Sequence, residues 1–561
     1  QEDRLDYLRS LGADVGETSV VVGIAARQTL FIPREQDGRD PVEIFDVRIR
    51  NTTDHVREMS VYGYVEFSFH HIDMDNQNFQ MSLYCAGSSY EDGIIEHDLF
   101  YEEDGYQYFT SNFTPDGFDC LRDSFLGLYH TEDNPVAVQK GVCSGSHELG
   151  NNHCGSLQKD LVLAPGQEVR LVYMLGEGPR AEGKIMREKY SQMENVDAAY
   201  AQLAAYWEDK FSRLQIQTPN VGMNTLINAW NLYQAEINVM FSRFASFIEV
   251  GGRTGLGYRD TAQDAMTIPH SNPDKCKQRI VELLRGLASQ GYGLHLFQPE
   301  WFAPDAEKKK EKEFKSPTVA LISKGDFIHS GEDACSDDAL WLVPSIVEYI
   351  KETGDWGLLD EMVPYDNDMS IAETMLDHLK VSFYKIVNNL GPHGLPLAMR
   401  ADWNDCVNLS CFSDTPGESF QTYTNPKFAA EGGYSKVAES VMVAALFTYA
   451  GPNYVSILKH LGKDEEAAAA QAEIDKMKAN MMEHAWDGDW FLRAYDAHGE
   501  KMGSKECEEG QIFIEPQGFA IMSDIDPEVT KKTLKAIDER LNTEHGLVLN
   551  NPAFTKYYIQ Y

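Results

Sequence analysis

Hydrophobic and polar residues alternate through the first third of the chain. Apolar residues fall two positions apart in segments such as 45–49, 59–69 and 169–175, and clusters of Asn, Asp, Thr, Pro and Gly separate these segments. A two-residue period places the apolar side chains on one face of an extended strand, and the intervening clusters are typical of turns. The pattern therefore predicts an antiparallel β-sandwich over residues 1–190.

The period of the apolar residues changes near residue 196. Five large apolar residues then recur at three- and four-residue intervals, which is the spacing of one helical face. They are Val196, Tyr200, Leu203, Trp207 and Phe211. We predict a helical linker over residues 191–221.

Helical spacing continues from residue 222 to the end of the chain. Long segments rich in Gly, Pro, Asp and aromatic residues, at 251–264, 292–338 and 391–434, connect the predicted helices. Long loops on a helical scaffold favour a functional site at one end of a ring of helices. Residues 222–561 are thus predicted as a helical domain that carries such a site, and the fold class as multidomain α+β.

The charge of the chain excludes some partners. Its 561 residues carry a formal net charge of −39, which would repel nucleic-acid backbones and anionic membranes. An anionic substrate would instead need a local cluster of arginines. No apolar run is long enough to span a membrane and the first residues are charged, so we expect neither a membrane span nor a signal peptide.

The nine cysteines are scattered and never form a C-x-x-C pair. This distribution predicts free thiols in a reducing, cytoplasmic compartment rather than disulfides or a zinc ribbon. The histidines His270, His295, His329 and His393 also lack the spacing of metal ligands, so we predict hydrogen-bonding roles for them and no metal site.

A segment rich in glycine and arginine spans residues 242–264. It holds Arg243, Arg253 and Arg259 together with Asp260 and Asp264, and its glycines let the backbone approach a ligand closely. Arginine suits phosphate oxygens and paired hydroxyls, and aspartate accepts hydrogen bonds from sugar hydroxyls. No Gly-Lys-Ser/Thr sequence follows, which disfavours nucleotide binding. A surface loop with internal salt bridges is the alternative.

A second segment combines an aromatic residue with carboxylates. It reads Arg400-Ala-Asp-Trp-Asn-Asp-Cys406, and it places Trp403 two residues before Asp405. An indole can support the apolar face of a sugar ring, while a carboxylic acid two residues later can reach a glycosidic oxygen. We expect Asp337, Asp338 and Trp490, like the arginine-rich segment, to lie at loop ends of the same helical domain. A core tryptophan beside a helix-capping aspartate is the alternative.

At these two segments the chain resembles glycoside hydrolase family ninety-four, the cellobiose and chitobiose phosphorylases, and the likeness extends over essentially the whole chain. The resemblance implies a β-sandwich, a helical linker and an (α/α)6 barrel, which is incomplete here. We expect a chain truncated at both ends, because the family's later Gly-Tyr-Lys-Glu-Asn segment would begin beyond Tyr561.

The resemblance also implies site residues. Asp405 would be the general acid, Arg253, Arg259, Asp260 and Trp403 would line the donor-sugar subsite, and Arg243 would help to hold phosphate. Phosphate itself would attack the anomeric carbon, as water does in an inverting glycosidase, so neither a base nor a cofactor is needed. Burial against Trp403 would raise the pKa of the acid, as its role requires. The family likeness further suggests a homodimer.

The substrate is less closely specified. Residues 55–345 look more like chitobiose phosphorylases, whereas the chain from residue 376 looks more like cellobiose phosphorylases. We favour N,N'-diacetylchitobiose over cellobiose, because the first region contains the donor-sugar loop. A phosphorylase of laminaribiose or another β-glucoside, an inverting hydrolase on the same barrel, and a carbohydrate-binding protein without turnover are the alternatives.

Overall fold

The computed structural model describes most of the chain. The described residues are 18–21, 23–34, 40–67, 83–100, 106–241, 256–293, 296–297, 335–365, 368–399, 401–404, 407, 409 and 436–556. The chain divides into two compact units, Gln1–Lys210 and Phe211–Tyr561. The domain boundaries predicted at residues 190 and 221 stay predictions.

The first unit is built from two antiparallel sheets. Its strands are β1 (Thr18–Val21), β2 (Ile24–Phe31), β3 (Val42–Asn51), β4 (Arg57–Val65), β5 (Ala86–Glu91), β6 (Ile94–Leu99), β7 (Tyr106–Ser111), β8 (Gly117–Leu121), β9 (Glu148–Leu149), β10 (His153–Leu163) and β11 (Glu168–Glu177). The larger sheet has the order β1-β2-β3-β11-β7-β6-β5-β9, and the smaller has the order β4-β10-β8.

The predicted alternation places side chains between these two sheets. Val47 lies opposite Leu171 in the β3–β11 pairing, and both belong to the cluster that the two sheets enclose. Met59 and Val61 reach the same cluster from β4. The predicted sandwich is thus present.

The larger sheet is also covered on its other face. Ile44, Val172 and Met174 are fully buried there. They pack with Met186 and Val196 from the helices Glu182–Tyr190 and Met193–Ser212. The second helix carries the apolar stripe that predicted the linker.

The second unit is predominantly helical. Its helices are Val221–Thr225, Leu226–Trp230, Asn231–Phe241, Tyr258–Ala265, Pro273–Arg285, Asp338–Trp341, Leu342–Thr353, Trp356–Asp360, Met375–Val387, Val441–His460, Asp464–Asn480, Met481–Ala485, Ile514–Met522 and Pro527–Arg540. Short antiparallel strands lie between the described helices. Met362–Tyr365 pairs with Asp368–Thr374, and Ala494–Tyr495 pairs with both Glu439–Ser440 and Lys501–Met502. The other described pairs are Leu256–Gly257 with Leu296–Phe297, Ile512–Phe513 with Asn550–Asn551, and Asn542–Thr543 with Gly546–Leu547.

The helix Val441–His460 lies at the centre of this unit. It packs against Leu342–Thr353, Asp464–Asn480 and Ile514–Met522. Its length and mean hydropathy of 1.4 would allow it to cross a membrane, but 78% of its most apolar stretch is buried inside the protein. Such burial is typical of a core helix.

One segment differs from its prediction as a loop. Within 251–264, residues from Tyr258 onward form the helix Tyr258–Ala265. Tyr258, Ala262 and Ala265 are fully buried at helical spacing, so the apolar face is narrow and the polar residues between them obscure it.

Candidate functional site

The loop 401–404, which leads to the predicted acid, is fixed at its start by backbone hydrogen bonds. The Ala401 carbonyl accepts a hydrogen bond from Ser336 N at 2.9 Å. Just before it, Ala398 N donates to the Ala438 carbonyl at 2.9 Å. The loop therefore begins from a backbone held on two sides.

Asp402 is the most strongly bound side chain of the loop. Two guanidinium nitrogens of Arg493 donate to its carboxylate at 2.5 and 2.8 Å, and Ser440 Oγ donates at 2.6 Å. The Ser440 Oγ also accepts from Val443 N, so the cap of the central helix Val441–His460 is part of this contact. Paired donors of this kind fix both the position and the plane of a carboxylate.

The ion pair between Asp402 and Arg493 is completely buried. Both side chains have an exposed fraction of 0%. Burial alone would raise the pKa of Asp402, but the Arg493 guanidinium, together with the hydrogen bonds from Ser440 and the Asn404 backbone, holds that pKa below its ordinary value. Asp402 is thus a charged structural anchor rather than a proton donor.

A second carboxylate joins the buried arginine. Glu515 Oε1 lies 3.5 Å from Arg493 Nε and accepts a hydrogen bond from Asn404 Nδ2 at 3.0 Å. The backbone N–H of Asn404 donates to Asp402 Oδ1 at 3.0 Å. Asn404, the residue before Asp405, is therefore held through both its backbone and its side chain.

Arg259, predicted to line the donor subsite, is 4% exposed. Its guanidinium donates to Asp337 Oδ1 at 3.0 Å and to the Asp402 carbonyl at 2.8 Å. It therefore links the helix Tyr258–Ala265 to the loop 401–404, which we call the acid loop because it precedes the predicted acid. The predicted contact of Arg259 with sugar stays a prediction.

Asp337 lies beneath this arginine and is fully buried. Its second carboxylate oxygen accepts from Trp341 Nε1 at 3.0 Å. Burial raises the pKa of Asp337 to about 6, although the Arg259 guanidinium acts in the opposite direction. The expectation that Asp337 lies close to the acid loop agrees with its contact, through Arg259, with Asp402.

Asp260 and Asp264 lie one turn apart on the helix Tyr258–Ala265, and both are half-buried. Burial and the neighbouring Asp260 carboxylate raise the pKa of Asp264 to about 7. This side of the helix therefore carries one carboxyl group that exchanges its proton near neutral pH.

The two tryptophans of interest have opposite environments. Trp403 is 41% exposed although Ala401 and Asp402 beside it are buried. Trp490 is 2% exposed, and its Nε1 donates to the carbonyls of Gly503 and Gln511. Trp490 lies in a loop, as expected, but its buried indole N–H is used to join two backbone segments. Trp403 alone of this pair can offer a ring face to a ligand.

His393 has the hydrogen-bonding role predicted for it. Its Nδ1 lies 2.6 Å from Glu439 Oε2, and its ring stacks on Tyr495. Within the part of the chain that the structure describes, no three His, Cys, Asp or Glu residues gather as metal ligands do. The seven described cysteines are free thiols.

Three predicted site residues, Asp405, Arg243 and Arg253, lie outside the described residues. Arg493, Ser440 and Glu515 were not predicted as site residues, because no local pattern links them to the motif. The only available indication was an arginine in the strongly apolar run around Phe491, where a buried cation requires a partner.

The fold resembles that of a solved bacterial glucoamylase complexed with acarbose. The TM-score is 0.53 at 10% sequence identity, with 94% of this chain and 68% of that chain covered. The predicted fold class, an antiparallel sandwich followed by a helical (α/α)6-type barrel, is confirmed.

The chain belongs to the glycosyl hydrolase 94 family. Residues 18–193 match the description "Glycosyl hydrolase 94, supersandwich domain", and residues 206–561 match "Glycosyl hydrolase 94 superfamily, catalytic domain". The family resemblance seen in the two motifs is thereby confirmed.

Similar curated proteins include N,N'-diacetylchitobiose phosphorylases of Vibrio proteolyticus and Vibrio furnissii, 44% and 43% identical over 95% of this chain. A solabiose phosphorylase of Paenibacillus borealis is 28% identical over 95% of this chain and 62% of its own length. The chain spans 63% of the length of both Vibrio relatives.

Proposed function

We propose that this protein is an inverting glycoside phosphorylase that cleaves N,N'-diacetylchitobiose with inorganic phosphate. The identity of 44% to a phosphorylase of that disaccharide is the observation that carries the proposal. It favours the N-acetylglucosamine donor over glucose, because relatives named for other substrates are 28% identical or less. The enzyme is thus a hexosyltransferase in its chemistry.

In the proposed reaction, Asp405 donates its proton to the glycosidic oxygen as the bond from that oxygen to the anomeric carbon breaks. A phosphate oxygen forms the new bond to the anomeric carbon from the opposite face. The products are an α-sugar 1-phosphate and a free sugar. Phosphate is a co-substrate, and neither a cofactor nor a metal takes part.

The donor sugar would lie on Trp403. The indole is 41% exposed on a loop whose neighbouring side chain, Asp402, is fully buried. An exposed ring on a fixed backbone suits stacking on a pyranose, because little conformational freedom is lost on binding. Arg253 and Asp260 would bind the sugar hydroxyls, and Arg259 would support the donor-sugar subsite that these residues line with Trp403. Arg243 would hold phosphate.

The proposal includes a cytoplasmic homodimer. Free thiols at all seven described cysteines support a reducing compartment. Gel filtration with light scattering tests the dimer, and a monomer at micromolar concentration would contradict it.

The test is a product assay on the protein in its full natural length. Diacetylchitobiose, cellobiose and laminaribiose are each supplied with and without excess phosphate. We expect N-acetylglucosamine 1-phosphate from diacetylchitobiose only when phosphate is present. Equal cleavage in phosphate-free buffer would indicate a hydrolase, and sugar binding without turnover in any buffer would indicate a carbohydrate-binding protein.

The role of Asp405 is tested by Asp405→Asn. We expect turnover to fall at least about a thousandfold with disaccharide affinity nearly unchanged, because the acid acts in the transition state. Asp489→Asn, at an exposed aspartate, is the matched control and should retain wild-type turnover. Activity within tenfold of wild type in Asp405→Asn would refute the assignment.

A further inference from the structure

Glu515 occupies an unusual position for a carboxylate. It lies in the first turn of the helix Ile514–Met522, yet its side chain is only 6% exposed. Within the described part of the chain, its Oε1 contacts Asn404 and Arg493, and its buried Oε2 has no hydrogen-bond partner. A buried carboxylate that is not fully hydrogen-bonded is costly.

Charge neutrality does not explain this cost. Arg493 already pairs with Asp402 through two hydrogen bonds, and its Nε forms no hydrogen bond within the described residues. With both carboxylates ionised, the group of Asp402, Arg493 and Glu515 carries one net negative charge. The pair of Asp402 and Arg493 alone would be neutral. Glu515 therefore adds a buried negative charge that the neutrality of this ion pair does not require.

The contact that Glu515 makes gives it a role. Asn404 is bound at its backbone N–H by Asp402 and at its side-chain amide by Glu515. Consecutive Cα atoms are about 3.8 Å apart, so fixing Asn404 at two points restricts where residue 405 begins. Trp403 is exposed within the same loop, and Asp402 and Asn404 on either side of it are the points at which the loop is bound.

We propose that Glu515 is a positioning residue for the general acid, acting through the Asn404 amide on the backbone that carries Asp405. This inference rests on the proposed function, because it needs Asp405 to be the proton donor. Glu515 itself does not touch the reacting atoms.

The test uses the dependence of the reaction on the leaving group. A nitrophenolate leaves without protonation far more readily than a sugar alkoxide, so an aryl glycoside depends little on the general acid. Phosphorolysis of diacetylchitobiose and of nitrophenyl β-N-acetylglucosaminide is compared in the wild type and in Glu515→Ala, on the full-length protein. The ratio of the two kcat/KM values reports on proton donation and cancels a general loss of active enzyme.

We expect Glu515→Ala to lower this ratio at least tenfold, and Glu515→Gln, whose amide oxygen can still accept from Asn404, to restore most of it. Asn404→Ala removes the same hydrogen bond by changing its half-buried donor, and we expect the same fall in the ratio. This variant carries the test if Glu515→Ala does not fold. The matched control is Gln517→Ala on the same helix, because Gln517 bonds to the Phe491 backbone and not to the acid loop. It should lower stability without changing the ratio.

Equal losses on both substrates in Glu515→Ala and Asn404→Ala would overturn the inference while leaving the proposed function intact. Absence of phosphate-dependent turnover of either substrate by the wild type would instead overturn the proposed function.

Discussion

Replacing Arg493 by methionine tests the energetic role of the buried ion pair. Methionine fills much of the space of the aliphatic stem but removes the charge and both hydrogen bonds to Asp402, at 2.5 and 2.8 Å. Hydrogen bonds to charged groups contribute about 1.5–3 kcal/mol each, and breaking a buried ion pair from one side costs about 3–5 kcal/mol. We expect Arg493→Met to lower the free energy of unfolding by about 3–5 kcal/mol at pH 8. For a unit of this size the melting temperature would fall by roughly 5–10 °C.

The loss should depend on pH in a defined direction. In the wild type the pKa of Asp402 is lowered, so its stabilising effect is present above the pKa of an unfolded aspartate and is lost as pH falls through the folded value. Without Arg493, burial would raise the pKa of Asp402 instead. The penalty would then be full above that raised pKa and would be relieved on protonation. The difference in melting temperature between wild type and variant should therefore narrow from pH 8 to pH 5.

Thermal unfolding across this pH range is the assay, and two further variants complete it. Asp402→Asn in the Arg493→Met background should recover much of the loss at pH 8, because the fully buried residue 402 then carries no charge that lacks a partner. Arg540→Met is the control, since the exposed Arg540 lies over the Trp490 ring and donates one long hydrogen bond, of 3.4 Å, to Gln511, and should contribute about 1 kcal/mol or less. A loss that is independent of pH and made worse by Asp402→Asn would refute the reasoning.

Two other predictions concern single positions. Asp264→Asn should flatten the pH dependence of stability, because the raised pKa of about 7 makes the native state lose stability as pH rises from about 4 to 7. At pH 8 we expect a gain of about 1–2 kcal/mol after allowing for partial exposure, measured as melting temperature, and curves parallel to wild type would contradict it. Gly503→Ala should cost more than Gly462→Ala, by at least about 1 kcal/mol. Both glycines have positive φ, but a Cβ at Gly503 would lie 2.4 Å from Arg493 N, whereas nothing lies within 4 Å at Gly462; equal losses in denaturant titrations would exclude this clash.

The sandwich could be predicted because each strand is indicated by the alternation of apolar and polar residues within its own short segment. A two-residue period around Val47 or Leu171 directly specifies which side chains face the other sheet. The second buried face of the larger sheet could not be predicted in this way, since it depends on the helices Glu182–Tyr190 and Met193–Ser212 packing there.

The site was only partly predictable for the same reason. The motif ending at Asp405 and the arginine-rich segment are contiguous, so their residue types alone suggest chemistry. The contact between Asn404 and Glu515 joins positions 111 residues apart, and nothing in either neighbourhood specifies the other. The burial of Trp490 could not be predicted, because an indole in a core and an indole at a sugar subsite look alike in sequence.

The sequence separation within the buried network has a consequence for biosynthesis. Asp402 is bound by Ser440 and Arg493, which the ribosome adds about 40 and 90 residues later. Glu515, the partner of the Asn404 side chain, is added 111 residues after Asn404. A nascent chain that has emerged only as far as the central helix holds an aspartate whose counter-charge does not yet exist. The loop 401–404 therefore acquires its final side-chain contacts only after the helix Ile514–Met522 has been synthesised and has docked.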